Sequence, residues 1–195
     1  INQVDTVRVL VILVDFSDKP YTFGAVAATP ALFDSVLFSE GKNPSGSMTE
    51  YYLENSYGSF YIIGDVYGWF RMPEPMSYYS PYGTNGIGNY PNNAQRLAEV
   101  AVDSVDGSVY DSWGLGGGAD GKVDGLFVVH AGTGFEESGD ESEIHSHEWH
   151  LSVPQKRDGV EVYNYTMEPE ESDNVPGISP IGVFCHEYGH FIGLP

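Results

Sequence analysis

The sequence predicts an α/β (α+β) domain, a twisted mixed sheet with helices on it, and three observations lead there. Residues 7–14 are a nearly unbroken Val, Leu and Ile run, as in a strand buried on both faces of a helix-covered sheet. Further strand-like segments (59–72, 126–130, 160–167) are interleaved with helical ones (29–40, 92–104, 181–192) that open on capping or proline signals or carry apolar faces. At 195 residues with 41% hydrophobic and 14% aromatic content, the chain suits one domain with a real core, and disorder is excluded.

Taken in order, the helix at 29–40 has Pro30 at an entry position and Leu32, Phe33, Val36 and Leu37 on one face. Ser47-Met48-Thr49-Glu50 is a capping box, in which Ser47 and Glu50 satisfy each other's free backbone N–H groups, and this helix should stop near Gly58. The strand at 59–72 is expected to bend at Gly64-Asp65. Residues 73–91, rich in Pro, Gly, Tyr and Asn, read as a packed surface loop. A helix at 92–104 presents Leu97, Val100 and Ala101; the glycine-rich 114–118 turn then leads to the strand at 126–130. Residues 132–143 read as an acidic loop, and His145-Ser146-His147 as strand with both imidazoles on one side. The strand at 160–167 precedes a last helix at 181–192, ended by Gly193.

Eight Lys and Arg against 28 Asp and Glu leave a net charge of −20. Such a surface repels phosphate backbones and anionic lipid, so neither nucleic acid nor a membrane is expected as partner, and no apolar run is long enough to span a bilayer. Crowded carboxylates favour bound cations, calcium above all. A single cysteine, Cys185, excludes an internal disulfide, and its helical position turns it away from its neighbour His186 into the core.

The segment that decides the chemistry is His186-Glu187-Tyr188-Gly189-His190. Positions i and i+4 of a helix share a face with about 6 Å between them, so His186 and His190 can both point at one ion. Zinc takes neutral imidazole nitrogen at about 2.0–2.1 Å and lowers the pKa of bound water toward about 7. Glu187, off the ligand line, is placed to take that water's proton and pass it to a leaving group. The surrounding Gly182-Val183-Phe184-Cys185 and Phe191-Ile192 are mostly apolar, and a buried helix does not carry two histidines and a glutamate without partners.

The stretch Val183-Phe184-Cys185-His186-Glu187-Tyr188-Gly189-His190-Phe191-Ile192-Gly193-Leu194-Pro195 resembles the active-site helix of the M6 metallopeptidases, the immune inhibitor A group of zincins. Similarity extends through the opening strand with Asp15-Phe16, Ser47-Met48-Thr49-Glu50-Tyr51-Tyr52, Asn55-Ser56-Tyr57-Gly58 and Gly121-Lys122-Val123-Asp124-Gly125-Leu126. It continues in Val129-His130-Ala131-Gly132, Ser146-His147-Glu148-Trp149 and Tyr165-Thr166-Met167-Glu168-Pro169-Glu170. The resemblance implies a zincin-like catalytic domain of a secreted endopeptidase that holds zinc and calcium. It also implies His186 and His190 as zinc ligands and Glu187 as general base. In zincins the third ligand follows the helix past a glycine turn, matched here by Gly193, and a small carboxy-terminal subdomain forms the lower cleft wall. Residues 1–195 are therefore expected to be the amino-terminal part of such a domain, with that ligand and subdomain outside this sequence.

Secondary constellations follow from carboxylate and imidazole placement. Asp120 and Asp124, around a glycine turn, are candidate calcium ligands, although their spacing is not that of an EF-hand. Residues 136–143 hold five carboxylates in eight positions, with Glu136 and Asp140 the calcium candidates; a solvated acidic loop is the plainer reading. His147 is the candidate substrate-binding residue, the alternative being a hydrogen-bonded packing histidine. The function these residues support is zinc-dependent hydrolysis of protein or peptide substrates laid along a sheet edge. Two rivals remain open: a non-catalytic binding or adhesion module on the same scaffold, and a calcium-stabilised structural domain.

Overall fold

The computed structural model describes residues 5–22, 28–105, 121–157 and 159–195. Its centre is β1 (Asp5–Asp15), which lies between two parallel partners, β2 (Phe60–Arg71) and β5 (Leu126–Thr133). With a strand on each edge and helices on each face, β1 has no solvated side, which is why its apolar run barely alternates with polar residues. The five-stranded sheet runs β2-β1-β5-β7-β6; β7 (Val160–Glu171) is parallel to β5, and β6 (His147–Arg157) is antiparallel to β7 at the edge.

Successive β1 side chains feed two cores. Leu10, Ile12 and Val14 pack with Leu97, Ala98, Ala101 and Val102 of α4 (Ala94–Ser104). Val9, Val11 and Leu13 pack with Phe33 and Leu37 of α1 (Pro30–Phe38), Met48 and Tyr52 of α2 (Met48–Asn55), and Phe184 and Tyr188 of α6 (Ile181–Phe191). Helices thus cover both faces of the sheet. Thr29 caps α1 ahead of Pro30, the Ser47–Glu50 capping box is formed on α2, and Asn93 caps α4.

Five expectations change. The strand does not bend at Gly64-Asp65: β2 runs straight through, and Gly64 is where α1 comes closest, since a Cβ there would press on the Phe38 ring and lie 2.7 Å from the Val9 carbonyl oxygen. The irregularity comes later, where Ile12 pairs with Tyr67 but Val14 with Phe70, one extra residue on β2. The 73–91 loop contains α3 (Met76–Tyr79) and β3 (Gly88–Asn89), which pairs with β4 (Asn92–Asn93), and residues 132–143 contain α5 (Phe135–Ser138). Strand β7 passes through Pro169 to Glu171; the β5–β7 register slips between His130 and Thr133, beside the proline that has no N–H to contribute. Strand β6 begins only at His147, so His145 precedes it, and it accommodates Pro154 because an edge strand need not donate from every residue. The glycine run at 114–118 lies outside the described residues.

Candidate metal centre

Helix α6 is held from below by aromatic contacts and two hydrogen bonds. Tyr188 stacks on Phe127 of β5 at 5.4 Å and meets Tyr52 edge-on at 5.7 Å. The Tyr52 hydroxyl donates to the Cys185 carbonyl at 2.7 Å, and the Tyr188 hydroxyl to that of Asp124 at 3.2 Å. Phe184, Cys185 and Tyr188 thus face the core, and the helical period leaves His186 exposed and His190 half-buried on the opposite face. Burial pushes the Cys185 thiol up to about 12, so it is an inert core residue, as the sequence suggested.

The two imidazoles converge. Their Nε2 atoms are 3.2 Å apart and the rings meet edge to face. Two nitrogen lone pairs at that distance repel unless a proton or a metal ion sits between them. Tetrahedral zinc with bonds of about 2.0–2.1 Å would separate two ligand nitrogens by about 3.3 Å, so the pair fits zinc without rearrangement. The Nδ1 of His190 lies 3.2 Å from the Leu194 carbonyl oxygen, a contact that puts the proton on Nδ1 and leaves Nε2 free. Gly193, at φ +90°, supplies the left-handed turn that folds Leu194 back, its N–H bonding the Gly189 carbonyl at 2.9 Å.

Glu187 is 6% exposed. Burial pushes its carboxyl above the usual range, His186 and His190 pull it back, the charge of Glu136 raises it again, and the backbone N–H of Glu148 lowers it. A cleft of about 530 Å³ lies here, with His186, Glu187 and His190 on one wall and residues 145–148 on the other. Edge strand β6 therefore starts beside the two histidines.

The profile of the immune inhibitor A peptidase M6 catalytic domain matches residues 1–195. The chain belongs to the M6 peptidases. Among its relatives are the pre-pro-metalloprotease PrtV of two Vibrio cholerae serotype O1 strains, each 28% identical over 241 aligned residues, covering 100% of this chain and 25% of the relative. Immune inhibitor A of Bacillus thuringiensis subsp. alesti is 29% identical over 233 aligned residues, covering 96% of this chain and 33% of that protein. This M6 chain thus spans a quarter to a third of the length of these relatives. Among its described residues no helix is long and apolar enough to cross a membrane.

The remaining candidates of the M6 chain are dispersed. Among the described residues no three His, Cys, Asp or Glu side chains form a metal-binding group. Asp120 lies outside the described residues, and the Asp124 carboxylate accepts the Arg8 backbone N–H at 3.0 Å. Glu136 accepts from the Ser146 N–H and hydroxyl, tying α5 to the start of β6, whereas Asp140 accepts from Ser142 in an exposed turn. His147 is committed inside the protein: Nδ1 lies 2.7 Å from the His145 carbonyl oxygen and Nε2 3.0 Å from the Tyr165 hydroxyl. Both ring nitrogens of His147 thus have partners within the protein, and the contact with Tyr165 ties β6 to β7.

Two buried groups near the site escaped the sequence reading. Glu168 is fully buried, and burial first of all drives its carboxyl well above the ordinary range. His130, also fully buried, is pushed down to about 4 and stays neutral, with Nε2 lacking a hydrogen-bond partner. The signal for Glu168 was present: Thr166, Glu168 and Glu170 alternate along β7, and three polar side chains on one face of an interior strand mark a polar site within the sheet.

Proposed function

We propose that this chain carries the metal-holding part of a zinc-dependent endopeptidase of the secreted kind that the family resemblance implies, with His186 and His190 as ligands and Glu187 as general base. The observation that carries the reading is the 3.2 Å separation of the two Nε2 atoms on one helical face. When bound, zinc would supply a Lewis acid for the scissile carbonyl and lower the pKa of a water toward about 7.

The chain's own residues do the rest. His190 is oriented by the Leu194 carbonyl, and the helix beneath it by Tyr52, Phe127 and Tyr188. Glu187, buried and raised in proton affinity, takes a proton from the attacking water and returns it to the leaving amine. A protein or peptide substrate in extended form would pair with the start of edge strand β6, bringing a backbone carbonyl past Glu187. Asp124, Glu136 and Asp140, the calcium candidates among the described residues, each accept a separate hydrogen bond.

The test uses the full-length natural protein. Metal analysis should find one zinc per chain, and peptide cleavage should stop on chelation and return with zinc. A protein that binds zinc through His186 and His190 yet cleaves no peptide would instead be a binding module.

A further inference from the structure

Strand β6 is an edge strand, but most of that edge is closed. Gln95, in the first turn of α4, donates its side-chain N–H to the His150 carbonyl at 2.9 Å. Glu99, one helical turn on and held by Arg96 at 2.8 Å, accepts the Ser152 N–H at 3.1 Å and its hydroxyl as well. Groups that an added strand would need at 150 and 152 are thus taken by α4 side chains. Such covering protects an edge from indiscriminate pairing. What remains for a peptide is the stretch at 147–149, beside Glu187.

A second cleft, of about 360 Å³, opens at that stretch on the α4 side of the sheet. Ile87, Trp149 and Tyr165 line it with apolar surface, and Gln95 stands at its end. Ile87 and Trp149 are 44% and 51% exposed, so two large apolar groups at this cleft are open to solvent. Ile87 is brought there by the loop before α4, whose Gly86 carbonyl accepts the His145 N–H at 3.1 Å. His147 and Glu148 line both this cleft and the one holding His186 and Glu187, so the two adjoin at the strand.

We infer that the Ile87–Trp149–Tyr165 cleft is a specificity subsite that takes one bulky apolar side chain, aromatic or leucine-like, of the peptide paired with β6. Side chains of an extended peptide alternate between faces, so a residue directed at the α6 side is flanked by neighbours directed at the α4 side. The cleft therefore reads a single position within about three residues of the scissile bond. Closure of the strand at His150 by Gln95 sets the register, because it stops the peptide from sliding further along β6. The size is right for one large side chain, near the lower end of ligand-sized pockets. As a substrate subsite it rests on the peptidase reading; as a peptide-binding cleft it is testable without metal.

The experiment has two arms, both on the full-length protein. With chelator present, labelled extended peptides with Phe, Leu, Ala or Asp at one position are titrated by fluorescence polarisation. The Phe and Leu peptides should bind about 10- to 100-fold tighter than the Ala peptide, with Asp weakest. Ile87→Ser, at an exposed loop position, and Gln95→Trp, which fills the cleft, should each reduce that ratio toward one. With zinc restored, the kcat/KM ratio of Phe over Ala peptides should show the same preference and the same loss in both variants. Equal binding of the four peptides by the wild type, or an unchanged ratio in folded Gln95→Trp, overturns the subsite. Peptides cleaved without preference at any position overturn it too, while leaving the peptidase reading intact. Selective binding with no cleavage under any metal condition keeps the cleft as a peptide site and removes the peptidase reading.

Discussion

The Nε2 atoms of His186 and His190 stand 3.2 Å apart, while the other ring nitrogen of His190 faces the Leu194 carbonyl. The helix period and the turn at Gly193 bring the pair into this arrangement. His186→Ala and His190→Ala should each abolish stoichiometric zinc and at least about 10³-fold of peptidase activity, with the fold retained. Elemental analysis beside circular dichroism checks both halves. Full activity in either variant would remove the metal centre from α6.

Glu187→Gln keeps the shape and the neighbours of the carboxylate but cannot accept a proton. Zinc content should be unchanged and kcat should fall by about 10²–10⁴-fold, with KM little affected. Comparable kcat in the variant would mean that another group handles the proton.

Gly64→Ala tests the packing reading of β2. The added methyl would meet the Phe38 ring and the Val9 carbonyl oxygen, so α1 or the β1–β2 pair must shift. A loss of about 1–3 kcal/mol in urea unfolding is expected, with the m-value unchanged. If Gly64 served only a surface bend, the substitution would be nearly neutral.

Glu99→Ala leaves the Ser152 N–H and the Arg96 guanidinium without this partner and should cost about 1–3 kcal/mol. It also uncovers the β6 edge, so light scattering should show concentration-dependent association. Burial raises the Glu99 carboxyl, but the Ser152 hydroxyl and Arg96 outweigh it and bring the pKa below the ordinary range. Its stabilisation is therefore present above the unfolded value of 4.5 and is lost as pH falls through the lower folded value. Wild type should lose stability more steeply than Glu99→Gln in that acid window.

Glu170 has the opposite sign. Burial raises its carboxyl to about 7, although the Gly132 and Thr22 N–H groups, at 3.1 and 2.8 Å, hold it lower than burial alone would. A raised folded pKa contributes stability fully present below 4.5 and lost as pH rises through about 7. The melting temperature should therefore decline from pH 5 to pH 8, and Glu170→Gln should flatten that decline. An identical slope in the variant would locate the titrating group elsewhere.

Elements whose cause is local were legible. The Ser47–Glu50 capping box, Pro30 behind Thr29, and the apolar run of β1 each declare themselves within a few residues, and all three are formed as read. The pairing of His186 with His190 needs only the helix period. Elements whose cause lies elsewhere in the chain were misread. Gly64 looked like a bend because glycine breaks strands, whereas the α1 side chain Phe38 requires its bareness. Pro169 masked the end of β7, since nothing local says that the neighbouring strand will slip to excuse the missing N–H. That Tyr165, eighteen positions away, partners His147 has no local signal either.

By itself the sequence determined the longer helices, the central strand and the placement of His186 and His190 on one face of α6, because hydrophobic period, capping and i,i+4 spacing act over one or two turns. Tertiary structure alone decided that β6 is the edge, that Gln95 and Glu99 close most of it, and that Ile87 and Tyr165 meet Trp149 beside Glu187. Gln95 and His150, Glu99 and Ser152, and Ile87 and Trp149 are each more than fifty positions apart, and only the burial of both sheet faces brings them together.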